Sequence, residues 1–140
     1  MKNFILILVF LIQSVFLFGQ SSISKKVTNF PIPVFTNSNL SLVILNTAWE
    51  KFPEQGDEIA VIDSDGQIVG NSIVLFGHNG MPIWGDNPKT IFKDGLARGE
   101  HFRIIHWDHK NDIHHVFNDF NIQTGSITYI KDGFTIVTSL

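Results

Sequence analysis

EIAVIDSDGQIVGNSIVLF, residues 58–76, is the stretch that decides the fold. Two runs rich in Ile and Val stand on either side of Ser64-Asp65-Gly66. Asp-Gly reaches the positive φ of a two-residue hairpin turn at low cost, so the stretch predicts an antiparallel hairpin. Working outward, short apolar runs recur at intervals of roughly ten residues between turn residues, the spacing of a sandwich or barrel. LSLVIL, residues 40–45, reads as a strand, and NTAWEKF after it as one helical turn capped by Asn46 or Thr47 and stopped by Pro53. HFRIIHWD and IHHVFNDF flank HKND and predict a second hairpin; SITYI and FTIVTSL flank Lys131-Asp132-Gly133 and predict a third. Beyond the N-terminal leader no stretch sustains a 3.6-residue period. The fold class expected is all-β: a single antiparallel β-sandwich of about seven to nine short strands over residues 40–140.

What precedes that domain reads differently. MKNFILILVFLIQSVFLF carries Lys2 as its one charge and gives way to Gly19-Gln20-Ser21-Ser22, the pattern of a secretory signal peptide cut after Gly19. Gln13 and Ser14 interrupt the apolar run, which argues against an uncleaved anchor. Residues 20–39 are rich in Ser, Thr and Asn, with Pro31 and Pro33 in FPIPVF. They are expected as a flexible segment or an edge strand, because proline donates nothing to a ladder. The chain has no cysteine, so an exported domain of this size must rely on its core instead of disulfides.

Charge narrows the function classes. Without Lys2, nine Lys and Arg face 13 Asp and Glu, a net charge of −4 with His neutral. Lys25-Lys26 is the one basic pair, and nucleic-acid binding needs a basic stripe or patch, so that class is set aside. With the signal removed, no membrane span is expected.

Two places carry chemistry. HWDHKNDIHH, residues 106–115, holds four of the six histidines. With the turn centred on Lys110-Asn111, His106 pairs with His115, Trp107 with His114 and Asp108 with Ile113. Side chains directly opposite share a face, so His106, His115 and Asp108 form a candidate donor set for zinc or copper. The plainer reading is a polar hairpin tip, since no metal-binding motif is matched. In WGDNPKT, residues 84–90, Trp84, Asp86 and Asn87 sit where a strand gives way to a loop. An indole face beside a carboxylate and an amide is a surface for sugar rings. The competing reading packs Trp84 on the core and turns Asp86 onto its own loop. DSDG resembles the start of a calcium loop but runs directly into a strand. There is no G-x-S-x-G and no cysteine, and Asp57, Glu58 and Glu100 are acids at strand entrances whose convergence spacing does not reveal, so no catalytic residue is assigned.

The order GDEIAVID (residues 56–63), Val69-Gly70, PIWGDNPKT (82–90), KDGLARGE (93–100) and FRIIHWD (102–108) resembles a module of secreted Bacteroidota surface proteins. That module has the sense GDEIxVFD, VG, WGDDxxT, DGxxxGE and a strand ending in Trp-Asp, and the resemblance covers nearly the whole domain. It implies a β-rich extracellular module with no established catalytic activity. The matching positions Gly56, Asp57, Glu58, Gly70, Trp84, Gly85, Asp86, Asp94, Gly95, Gly99, Glu100 and Trp107 are expected as turn and packing residues. Such modules often stand before a C-terminal sorting domain; this sequence shows none after Leu140, so the periplasm or free secretion is expected rather than surface attachment. The function expected is an exported, non-catalytic binding or structural module whose partner is a carbohydrate or a protein, with no cofactor. The alternatives are a metal-binding protein using the histidine hairpin and a structural subunit of an envelope assembly.

Overall fold

The computed structural model describes residues 28–140; the leader expected over residues 1–19 lies outside them. Among the described residues are eight strands: β1 (Asn39–Ile44), β2 (Glu58–Ile62), β3 (Ile68–Ile73), β4 (Asn79–Trp84), β5 (Arg103–Asp108), β6 (Ile113–Phe117), β7 (Asn121–Thr124) and β8 (Phe134–Ser139). They form two four-stranded sheets, ordered β4-β1-β8-β7 and β3-β2-β5-β6. Alternation along each strand sends Leu40, Leu42, Ile44, Met81, Ile83 and Val137 from the first sheet against Ile59, Val61, Val69 and Ile104 from the second. This shared core is the arrangement of a β-sandwich. Each of these aliphatic side chains contributes about 1.5–3 kcal/mol on burial, enough to hold a cysteine-free domain.

The expectation of a purely antiparallel sandwich needs correction. β1 pairs with β4 antiparallel but with β8 parallel, Leu42 opposite Thr135 and Ile44 opposite Val137. Parallel neighbours require a long crossover, and here nearly the whole domain separates β1 from β8. Period-two alternation does not encode strand direction, so no local pattern announces such a pair.

The hairpin at residues 58–76 forms, with β2 against β3, but its turn is of another type. Gly66 alone takes positive φ (+84°), while Asp63 Oδ1 accepts the N–H groups of Asp65 and Gln67. The register shifts between Val61 and Ile62. This is a type I-like turn closed by a glycine bulge, because the Asp63 side chain takes the amides that a two-residue turn would leave to the ladder. The helical turn spans Asn46–Ala48 and is 3-10; Leu45 is its N-cap, without a side-chain cap bond, and Trp49 is already extended. It ends well before Pro53 because Trp49 is drawn into the core.

The third hairpin does not exist as expected. The antiparallel partner of β8 is β7, and SITYI contributes one isolated bridge, Thr128 to His101. The turn at residues 131–133 does form, with Asp132 at φ +56° and the Gly133 N–H bonded to Ile130 O at 3.0 Å. It follows a loop whose Tyr129 is buried against Gly85, where a Cβ would collide with the phenol ring.

Residues 28–38 join no strand ladder, yet they are anchored. The N–H groups of Asn29 and Phe30 donate to the Glu58 carboxylate (2.9 and 3.1 Å), Asn71 Nδ2 to Pro31 O, and the Thr36 hydroxyl to Gly85 O. This strap crosses the outer face of the β2 sheet, which is why every residue of β2 is buried. With Pro31 and Pro33 lacking donors, side chains of the body supply the partners instead.

Candidate functional site

β2 ends in an aspartate at either pole of the sandwich, Asp57 before it and Asp63 after it. Each collects a different cluster.

At the first pole, the Asp57 carboxylate accepts four hydrogen bonds: from the Glu54 N–H (2.9 Å), the His109 N–H (3.1 Å), His109 Nδ1 (2.7 Å) and His106 Nε2 (2.8 Å). Both imidazole nitrogens face a carboxylate, which only accepts, so each carries the proton. Burial pushes the Asp57 carboxyl up, but the bonds from His109, His106 and the two amides outweigh it and hold the group at about 2. His106 points inward from β5 and meets the Trp49 ring edge-on at 5.5 Å. Together with Phe52, His115 and Phe117 these residues line a groove of about 440 Å³.

The hairpin register here is the one expected, His106 opposite His115, Trp107 opposite His114 and Asp108 opposite Ile113. The rings of His106 and His115 stack 5.6 Å apart, only 19° from parallel. In-plane lone pairs on such rings run side by side instead of converging, and Nε2 of His106 is held by Asp57. The Asp108 carboxylate accepts the N–H groups of Lys110 and Asn111 and the Asn111 amide, closing its own turn. The structure therefore brings His106, Asp108 and His115 to one groove, but their ligand atoms do not converge to within 4.8 Å of one another, and the Asp108 oxygens are held by its own turn; so arranged, the three do not form the tetrahedral set that zinc takes.

At the second pole, Asp63, Asp65 and Glu100 form the trio of acids among the described residues whose oxygens lie within 4.8 Å of one another. The slot is filled from within: Lys93 Nζ lies 2.8 Å from each. Its contacts with Asp65 and Glu100 are hydrogen bonds, whereas that with the buried Asp63 Oδ2 is an ion pair without hydrogen-bond direction. Burial alone would lower the Lys93 ammonium; the three carboxylates raise it well above the ordinary range. Burial likewise raises Glu100, but Lys93, Ser64 and the Ala97 N–H bring it down to about 2. The resemblance to a calcium loop thus ends in an ammonium, held by a lysine 28 positions from Asp65.

Beside this cage the loop after β4 folds back on itself. Asp86 Oδ1 accepts the Asp94 N–H (2.9 Å), Asp94 Oδ1 accepts the Asn87 N–H (2.8 Å), and Gly85 bridges to Leu96. Gly95 is required because a Cβ there would lie 2.5 Å from the Gly85 backbone. Against this loop and the turn at residues 129–132 opens a cavity of about 560 Å³. Leu96, Tyr129, Ile130 and Pro88 give it apolar walls, and Ser38, Asp86, Asn87 and Arg98 are among its polar lining groups. Of the three residues expected to bind, Asp86 and Asn87 line the cavity. Trp84 lies on the outer face of its sheet, packed on Phe35 at 5.2 Å, with its indole N–H buried and without a partner. Sequence reading missed Tyr129, Arg98 and Lys131 at this pole, and Trp49 at the other; only the glycines at positions 85 and 95 hinted that segments approach closely here.

No family model, no curated protein and no solved structure matches the chain. No helix among the described residues is long and apolar enough to cross a membrane.

Proposed function

We propose that the protein is an exported, non-catalytic binding module that takes a saccharide in the cavity between the Asp86–Leu96 loop and the turn at residues 129–132. The observation that carries this reading is the cavity itself: about 560 Å³, within the range of small-ligand sites, and built on a loop and a turn that hydrogen bonds tie in place. Its lining suits a sugar. Leu96, Ile130 and Pro88 offer carbon surface to the C–H face of a ring, while Asp86, Asn87 and the hydrogen-bonded pair of Ser38 Oγ and Tyr129 Oη (2.6 Å) offer acceptors and donors to hydroxyls. Export is supported by the apolar leader, and the resemblance to secreted Bacteroidota modules points the same way.

Isothermal titration of the mature protein against a panel of neutral and acidic oligosaccharides tests the reading. Ile130 is half exposed at the rim, so Ile130→Asp leaves the fold intact while placing a charge on the apolar wall. Binding by the native chain that Ile130→Asp abolishes supports the proposal; a native chain that binds no member of the panel overturns it.

A further inference from the structure

The cavity is lined by three cationic side chains, Lys89, Arg98 and Lys131, and by two carboxylates, Asp86 and Asp132. On a chain of formal net charge −3, this wall is locally positive. The ion pairs of the described residues involve Lys93, Lys110, His106 and His109; none involves Lys89, Arg98 or Lys131. One of the two acids is already engaged, since Asp86 Oδ1 accepts the Asp94 N–H. Lys51 and Arg103 likewise form no ion pair among the described residues, but Lys89, Arg98 and Lys131 are the three that gather around one cavity.

We infer that the ligand of this cavity is an anionic saccharide, with Arg98 and Lys131 pairing its acidic group. This rests on the saccharide reading above and adds the charge class. The methylene stems of Lys89, Arg98 and Lys131 extend the carbon surface of Leu96 and Ile130, and their heads stay at the rim in water. A sugar ring laid on that surface presents its hydroxyls to Asp86, Asn87 and Ser38 and its carboxylate to the rim. The planar guanidinium of Arg98 matches a carboxylate through two parallel N–H bonds, whereas Lys131 acts as a point charge. Asp132 lies next in the chain to Lys131, in a turn fixed by its own N–H to Asn39 O (2.7 Å), and disfavours an anion seated on its side of the mouth. The acidic group is therefore directed toward Arg98.

The test is calorimetric titration of the mature protein with pentagalacturonate, cellopentaose and pentaglutamate in parallel. Pentagalacturonate is expected to bind at least about tenfold more tightly than cellopentaose, and to weaken several-fold between about 20 and 300 mM NaCl because the charges are exposed. Arg98→Ala and Lys131→Ala, both at exposed positions, are each expected to weaken pentagalacturonate five- to tenfold without changing Tm. Equal affinity for cellopentaose, or indifference to both substitutions, overturns the charge inference while the saccharide reading stands. Pentaglutamate binding as tightly as the sugar acid overturns it in favour of an acidic peptide. Binding of neither sugar overturns both.

Discussion

The two poles of the sandwich solve one electrostatic problem in two ways. Each end of β2 buries an aspartate, Asp57 at one pole and Asp63 at the other, separated by a five-residue strand. Asp57 is satisfied by hydrogen-bond donors, two backbone amides and two imidazole N–H groups, so that four donors converge on its two oxygens. Asp63 uses one oxygen for its own turn and gives the other to the ammonium of Lys93, which also draws in Asp65 and Glu100. Buried carboxylates need either many hydrogen bonds or a counter-charge, and this fold shows both on one strand. Both poles open a concavity, and the one beside the internal cation, of about 560 Å³, is lined by three cations without ion pairs among the described residues.

Removing either node should separate the two solutions. Asp57→Ala strands the His106 and His109 donors and the Glu54 amide together, and is expected to cost about 3–5 kcal/mol in urea denaturation. Loss of less than about 1 kcal/mol would show that water replaces the carboxylate and that the pole is not a buried node. Lys93→Met leaves three carboxylates facing one another, but Asp65 and the lysine head are partly solvated, so about 2–3 kcal/mol is expected. A cost matching that of Asp57→Ala would erase the contrast between the poles.

Acid should expose the same comparison. Asp57 and Glu100 both sit at about 2 in the folded chain, below their ordinary 3.8 and 4.5. A depressed carboxyl contributes stability that is present above its unfolded value and is lost as the folded value is approached. Tm should therefore fall as pH drops from about 4.5 to about 2, the range set by those values. Scanning calorimetry should show a shallower fall for both Asp57→Asn and Glu100→Gln relative to their own values at neutral pH; an unchanged slope in either removes that pole from the acid response.

Smaller effects sharpen the picture at single residues. Gly66→Ala places a Cβ at φ +84°, where nothing crowds it, so backbone strain alone is expected to cost about 1 kcal/mol. His115→Ala, at an exposed position on an edge strand, should change stability by less than about 0.5 kcal/mol, whereas a large loss would show that its stack on His106 holds the hairpin.

Parts of this were legible in the sequence and parts were not. The register of the histidine hairpin follows from a four-residue polar turn between two β runs, and it came out as read because the alternation and the turn agree. The partnership of Asp57 with His106 and His109 spans 49 and 52 positions, and nothing local announces it. Trp84 read either as a sugar platform, an indole face beside Asp86 and Asn87, or as a residue packed on the core, and it is neither, since it lies on the outer face of its sheet. Phe35 covers it from the strap, a segment whose own composition reads as a linker.

By itself the sequence determined an all-β chain, a strand count between about seven and nine that the eight observed fall within, the pairing of β5 with β6 and the existence of the β2–β3 hairpin. These are local properties, set by period-two alternation and by glycine and aspartate at turns, and they act over ten to twenty residues. Only the tertiary structure decided that β1 and β8 run parallel, that SITYI leaves the sheet to bury Tyr129 on Gly85, that a lysine fills the slot among three acids, and that a cavity opens beside it. Those outcomes depend on which distant side chains share a volume. Burial and charge neutralisation act through space and leave no periodic trace along the chain.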